Sequence, residues 1–162
     1  MKVLESLLKQ GDRAPSFSWT DRAGSSHDSA ELAGQTWILY FYPKDDTPGC
    51  TTEACGIRDQ WERFSKQLIT VLGCSPDSEK SHQKFQKKYQ LPFELVSDSD
   101  KSIVKSYGAW GLKQFMGREF EGVHRTTFIV SPDHHIQHVF PKVKPAEHAG
   151  ELLNVIQQLQ TD

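Results

Sequence analysis

The run WILYFYP, from Trp37 to Pro43, constrains the chain more than any other stretch. It is apolar and aromatic without alternation, too short for a buried helix, and suited to a central strand covered on both faces. A strand of that kind needs layers on both sides, which points to the α/β class. The next residues supply one of those layers. Thr47 can act as an N-cap and Pro48 as the first helical residue. Ala54, Ile57, Trp61, Phe64 and Leu68 then recur at spacings of three and four, the inner face of a helix, and Cys50 falls on the same line. LITVLGCS reads as a second buried strand, which completes a strand–helix–strand unit.

The remaining elements are less regular. SFSWTDRAGSS predicts a short strand, a turn at Asp21 to Gly24 and a second strand, an N-terminal β-hairpin. DSEKSHQKFQKKY predicts a polar, exposed helix, FELVSD a third short strand and KSIVKSYGAW a short helix. HRTTFIVSPDHHIQHVFP reads as two strands around a turn at Pro132 to His135. AEHAGELLNVIQQLQ predicts a terminal amphipathic helix with Leu152, Val155, Ile156 and Leu159 on one side. A central mixed β-sheet flanked by helices follows, parallel first and antiparallel last.

Length and charge narrow the function classes. A chain of 162 residues is expected to form one domain over 1–162. The net charge of −2 and the lack of a basic run argue against nucleic acid as a partner. The opening MKVLESLLKQGDRAP lacks the long apolar segment of a signal peptide, and no stretch is long enough to cross a membrane. The expected location is the cytoplasm. Three cysteines are too few and too odd for a disulfide scaffold, so a close pair there is redox-active or metal-binding rather than structural.

Cys50 and Cys55 form that pair, in PKDDTPGCTTEAC. Cys50 sits in the first turn of a helix that follows a central strand, where free N–H groups and the helix dipole favour an anion. A thiolate is an anion. Thr47 can offer a hydroxyl to the sulfur or to a bound oxygen, and Pro43 can shield the thiol from water. Five residues along an ideal helix turn Cys55 by about 140° and place the two Cα atoms roughly 8–9 Å apart. A disulfide spans no more than about 7 Å. A bridge between them therefore requires the first turns of the helix to unwind, and Gly49 and Gly56 weaken the segment by about 1 kcal/mol each relative to Ala.

P43-x-x-x-T47-x-x-C50 resembles the active-site signature of the peroxiredoxins, and FYPKDDTPGCTTEACGIRD resembles their bacterioferritin-comigratory, or Q-type, branch. GDRAPSF, YGAWG, FMG and GVHRTTFIV are similar to other blocks of that branch, so the resemblance runs from Gly11 to the terminal helix. It implies a thioredoxin-like fold and a thiol peroxidase acting on hydroperoxides without metal or organic cofactor. Residue by residue it implies Cys50 as the peroxidatic thiol, Cys55 as the thiol that resolves its sulfenic acid, Thr47 as the peroxide-holding hydroxyl, Pro43 as the shield and Arg125 as the charge near the sulfur. Thioredoxin or a similar dithiol is the implied reductant, and a monomer the implied state.

Other residues carry weaker signals. Cys74 reads as a small buried residue, with a second resolving thiol as the minority alternative. His134, His135 and His138 straddle a hairpin turn and diverge, which argues against a metal site. Glu53 reads as a residue of the first helical turn, favourable to the dipole, that could also orient Arg125. Trp110, Phe115 and Met116 fit either core packing or the mouth of a site. A different functional class, a redox sensor or holdase switched by the same two thiols, uses the same residues except the peroxide-orienting ones.

Overall fold

The computed structural model describes residues 4–161. Met1 to Val3, part of the opening considered for a signal peptide, and Asp162 lie outside the described residues. Among the described residues no helix is long and apolar enough to cross a membrane.

The chain begins with a small hairpin, β1 (Ser18–Thr20) and β2 (Ser26–Asp28), as the sequence predicts. β3 (Trp37–Phe41) then runs through the interior with all five residues buried. Helix α1 (Pro48–Asp59) and the shorter α2 (Trp61–Lys66) lead to β4 (Thr70–Ser75), and α3 (Glu79–Tyr89) leads to β5 (Glu94–Ser97). After α4 (Ser102–Ser106) come a hairpin of β6 (Trp110–Phe115) and β7 (Arg118–Val123), then β8 (Thr126–Val130), β9 (Ile136–Phe140) and α5 (His148–Thr161). The five-stranded sheet has the order β5-β4-β3-β8-β9. β4 runs parallel to β3 and to β5, whereas β8 runs antiparallel to β3 and β9.

The absence of alternation in β3 now has its reason. Trp37, Leu39 and Phe41 enter one core with Tyr107, Phe128 and the N-terminal segment. Ile38, Tyr40 and Tyr42 enter another, beneath α1, α2, α3 and α5. Leu152 and Ile156 of α5 are buried there, and Val155 and Leu159 pack against its edge, so the terminal stripe is the expected one.

Three expectations need correction. The helix after Pro48 does not run straight to Leu68: it breaks at Gln60, and Leu68 is 80 % exposed in a left-handed conformation. The chain must turn back there into β4, and Ile69 fills the buried place instead. Helix α3 is not simply exposed, because His82, Phe85 and Gln86 are buried. The β6–β7 hairpin has no counterpart in the predicted elements. Its turn sets Met116 and Gly117 at φ 51° and 78°, a two-residue reversal usually announced by Asn-Gly.

Candidate active site

The end of β3 delivers the chain into a tight turn, Pro43 to Thr47, and then into α1. Pro43 is half-buried at the start of that turn. Thr47 is the N-cap residue with extended backbone, and Pro48 is the first helical residue, as predicted. The hydroxyl does not cap, however. The Thr47 side chain turns away from the N–H groups of Gly49 and Cys50 and back to donate to the Lys44 carbonyl at 2.8 Å. The first-turn N–H groups of α1 therefore receive no side-chain cap from Thr47, and Cys50 lies among them.

Cys50 is 1 % exposed. Its Sγ accepts a hydrogen bond from Arg125 Nη2 at 3.1 Å. Arg125 lies in the short link between β7 and β8, so the fold brings it in from the far side of the sequence. Its other terminal nitrogen, Nη1, donates to Glu53 Oε1 at 3.4 Å. Gly49 permits this approach. A Cβ at that position would meet Arg125 Nη2 at 2.8 Å and Cζ at 3.3 Å, so glycine serves the guanidinium and not only the flexibility of the helix.

The sequence puts Glu53 in the first turn, favourable to the dipole and able to orient Arg125; the structure has the contact with Arg125 but not the first-turn place. Glu53 lies one turn further on, fully buried, facing Arg125. Beyond it is His148 of α5, whose Nε2 is 2.7 Å from Thr127 Oγ1 and 3.9 Å from Glu53 Oε2. Burial pulls the His148 pKa down to about 4, so the ring is neutral at pH 7 and gives Glu53 no positive charge. Burial pushes Glu53 up to about 8, although Arg125 pulls the other way. The sequence reading missed His148. The available signal was its place one turn before Leu152 on the inner stripe of α5.

This carboxyl makes stability depend on pH with a definite sign. A folded-state pKa raised from 4.5 to about 8 means that the fold holds a proton the unfolded chain releases, so stability falls as pH rises through that window. His148, lowered from 6.5 to about 4, acts in the opposite sense below pH 6.5. Above pH 6.5 the Glu53 contribution is unopposed by His148. Urea denaturation of reduced protein between pH 6.5 and 8 is expected to show a loss of up to ~1.4 kcal/mol per pH unit that is absent in Glu53→Gln. Equal slopes in the two proteins would contradict it. Comparison with the variant subtracts His27, which is also raised, through its contact with Asp21.

Cys55 is half-buried on the same helix, and Cys50, Cys55 and Cys74 are all free. Burial raises the Cys55 pKa, which keeps it a protonated thiol while the helix is folded.

A sequence model of the AhpC/TSA family matches residues 10–139. A putative peroxiredoxin Bcp of Coxiella burnetii is 45 % identical over 146 residues, covering 90 % of this chain and 97 % of its own. The Escherichia coli K12 peroxiredoxin Bcp is 40 % identical over 151 residues, covering 93 % and 97 %. The chain belongs to the peroxiredoxins, in their Bcp or Q-type branch. Among solved structures, a PrxQ variant of Xylella fastidiosa superposes with a TM-score of 0.88 at 32 % identity, over 94 % of this chain and 98 % of that one. Peroxiredoxin Q of Xanthomonas campestris gives 0.82 at 34 % identity, over 88 % and 90 %. The fold is thus thioredoxin-like, with a central mixed sheet flanked by helices. The protein is a thiol peroxidase of the thioredoxin-dependent peroxiredoxin class, and that class implies a hydroperoxide substrate and a thioredoxin-like reductant.

In this peroxiredoxin Cys74 lies within β4, fully buried, with its pKa pushed well up by burial and by Asp98. That is the environment of an inert core thiol. His134 meets the edge of Trp37, His135 lies beside Asp133 and His138 packs on Phe140, so the three histidines of the hairpin face different neighbours. Trp110 packs at the rim of one core beneath Lys101 and Lys105. Phe115 and Met116 are exposed, 67 % and 87 %, which rules out core packing for them.

Proposed function

We propose that Cys50 is the peroxidatic thiol and Cys55 the resolving thiol of this peroxidase. The observation that carries the reading is Arg125 Nη2 at 3.1 Å from a buried sulfur at the start of a helix. The Cys50 thiolate attacks one oxygen of R–O–O–H. The S–O bond forms as the O–O bond breaks, the sulfur is oxidised to Cys50–S–OH, and RO⁻ leaves and takes a proton to become ROH. Arg125 stabilises the thiolate and the charge that moves onto the leaving oxygen. Thr47 has its proton engaged on Lys44, so its oxygen is free to accept the peroxide O–H and hold the O–O bond in line. Pro43 shields the sulfur from bulk water.

The sulfenic acid then reacts with the Cys55 thiol to give the Cys50–Cys55 disulfide and water. Thioredoxin supplies two electrons and two protons to restore both thiols. The enzyme works as a monomer in the cytoplasm. Mixing reduced protein with thioredoxin, thioredoxin reductase, NADPH and hydrogen peroxide tests the reading. Many turnovers per protein molecule are expected, whereas one equivalent of peroxide consumed and no more would indicate a redox sensor.

Resolution requires α1 to unwind, and Gly56 offers a way to tune that step. A Cβ at Gly56 would meet only Ala149 Cβ, at an ordinary 3.8 Å. Gly56→Ala thus stabilises the folded helix by about 1 kcal/mol and is expected to slow disulfide formation about fivefold, with Cys50 oxidation unchanged. Stopped-flow fluorescence resolves the two phases. An unchanged second phase would show that unwinding does not limit resolution.

A further inference from the structure

Asp45 and Asp46 of the turn take no part in the chemistry above, yet both are fully engaged. Asp45 is 8 % exposed, and its Oδ1 accepts the Tyr42 hydroxyl at 2.5 Å. Its Oδ2 accepts Ser81 Oγ at 2.7 Å and lies 2.7 Å from His82 Nδ1. His82 is 2 % exposed, and its Nε2 is 3.0 Å from the Val96 carbonyl of β5. Both ring nitrogens are thus engaged, one on the turn and one on the sheet. The Asp45 backbone N–H donates to Asp77 Oδ2 at 2.7 Å. Asp46, in a left-handed conformation, accepts Lys88 Nζ and Tyr89 Oη, each at 2.7 Å, from the far end of α3. Asp45, Asp77 and His82 lie close enough to suggest a metal cage, but Tyr42, Ser81, Ser75 and the Asp45 N–H already occupy their carboxylates.

The turn is therefore tied to both ends of α3 and, through His82, to the edge of the sheet. The helix that follows it must unwind in every cycle. We propose that Asp45 and His82 are positioning residues for peroxide reduction: their clamp keeps Pro43 to Thr47 fixed while α1 unwinds and re-forms behind it, so that Thr47 meets each new peroxide in register with Cys50. This rests on the roles given above to Cys50, Cys55 and Thr47. A misplacement of about 1 Å in such a constellation can cost on the order of 100-fold in rate.

The test uses the Cys55→Ser background, where oxidation stops at the sulfenic acid. Dimedone trapping and peptide mass spectrometry at timed intervals after hydrogen peroxide give the rate of Cys50 oxidation. Iodoacetamide alkylation of Cys50 gives a reaction that needs the thiolate but not the oriented peroxide. Asp45→Ala and His82→Ala are each expected to slow oxidation by about tenfold or more, the double variant no more than the slower single, with alkylation within about twofold. Asp45→Asn, whose amide can donate to Nδ1 while Nε2 still donates to Val96, is expected to recover most of the rate. His82→Gln keeps the volume but cannot reach both acceptors, so it provides the slow variant if the alanine proteins do not fold. Oxidation losses below about threefold in folded variants, losses that multiply in the double variant, or alkylation falling in parallel would overturn the proposal. No sulfenic acid at Cys50 in the unaltered clamp would overturn the assignment of Cys50, and the proposal with it.

Discussion

Cys50→Ser is expected to abolish peroxide consumption, and Cys55→Ser to leave the first oxidation at full rate while ending turnover with thioredoxin. The difference follows from where the two thiols sit. Cys50 is buried, hydrogen-bonded to Arg125 and placed at the start of α1. A serine hydroxyl there is a far weaker nucleophile at neutral pH. Cys55 lies on another side of the helix with a raised pKa, and it has no part in breaking the O–O bond. Its loss leaves Cys50 as a sulfenic acid that accumulates and reacts with added dimedone. Steady-state NADPH oxidation and single-turnover mass spectrometry separate the two variants. Full steady-state activity in Cys55→Ser would remove that residue from the cycle.

Arg125→Met is expected to slow Cys50 oxidation by roughly 100- to 1000-fold, the scale for losing one charge-stabilising donor from a buried site. Two contacts go at once. The sulfur loses the Nη2 donor, and Glu53 loses the cation that pulls against its burial. Arg125→Lys is not expected to restore the rate, since an ammonium cannot span Cys50 and Glu53 as the fork does. Stopped-flow oxidation over a range of peroxide concentrations checks this. A loss below about tenfold would mean that backbone N–H groups and Thr47 carry the charge stabilisation between them.

Much of this site was readable from order along the chain. The run from Trp37 to Phe41 is a strand because its unbroken apolar and aromatic side chains leave neither face to water, and the Thr47-Pro48 pair marks the helix start whether or not the hydroxyl caps. Those two facts place Cys50 where an anion is favoured. Arg125 was legible only through resemblance, because no local pattern says that the link before β8 folds back over α1. Glu53 was read mainly as a first-turn charge favourable to the dipole, with the contact to Arg125 as a second role. Its burial depends on α5 covering α1, a contact between distant segments. His148 and His82 escaped notice for the same reason, each lying on a helix whose inner face is set by tertiary packing. The break at Gln60 went unseen because Trp61 and Phe64 keep the helical spacing across it.

The most direct measurement is peptide mass mapping of fully reduced protein after one equivalent of hydrogen peroxide, with free thiols blocked before digestion. A single intramolecular disulfide joining Cys50 to Cys55, with Cys74 recovered as a blocked free thiol, is the predicted result. A disulfide that includes Cys74, or a Cys50 recovered unoxidised, would contradict the account.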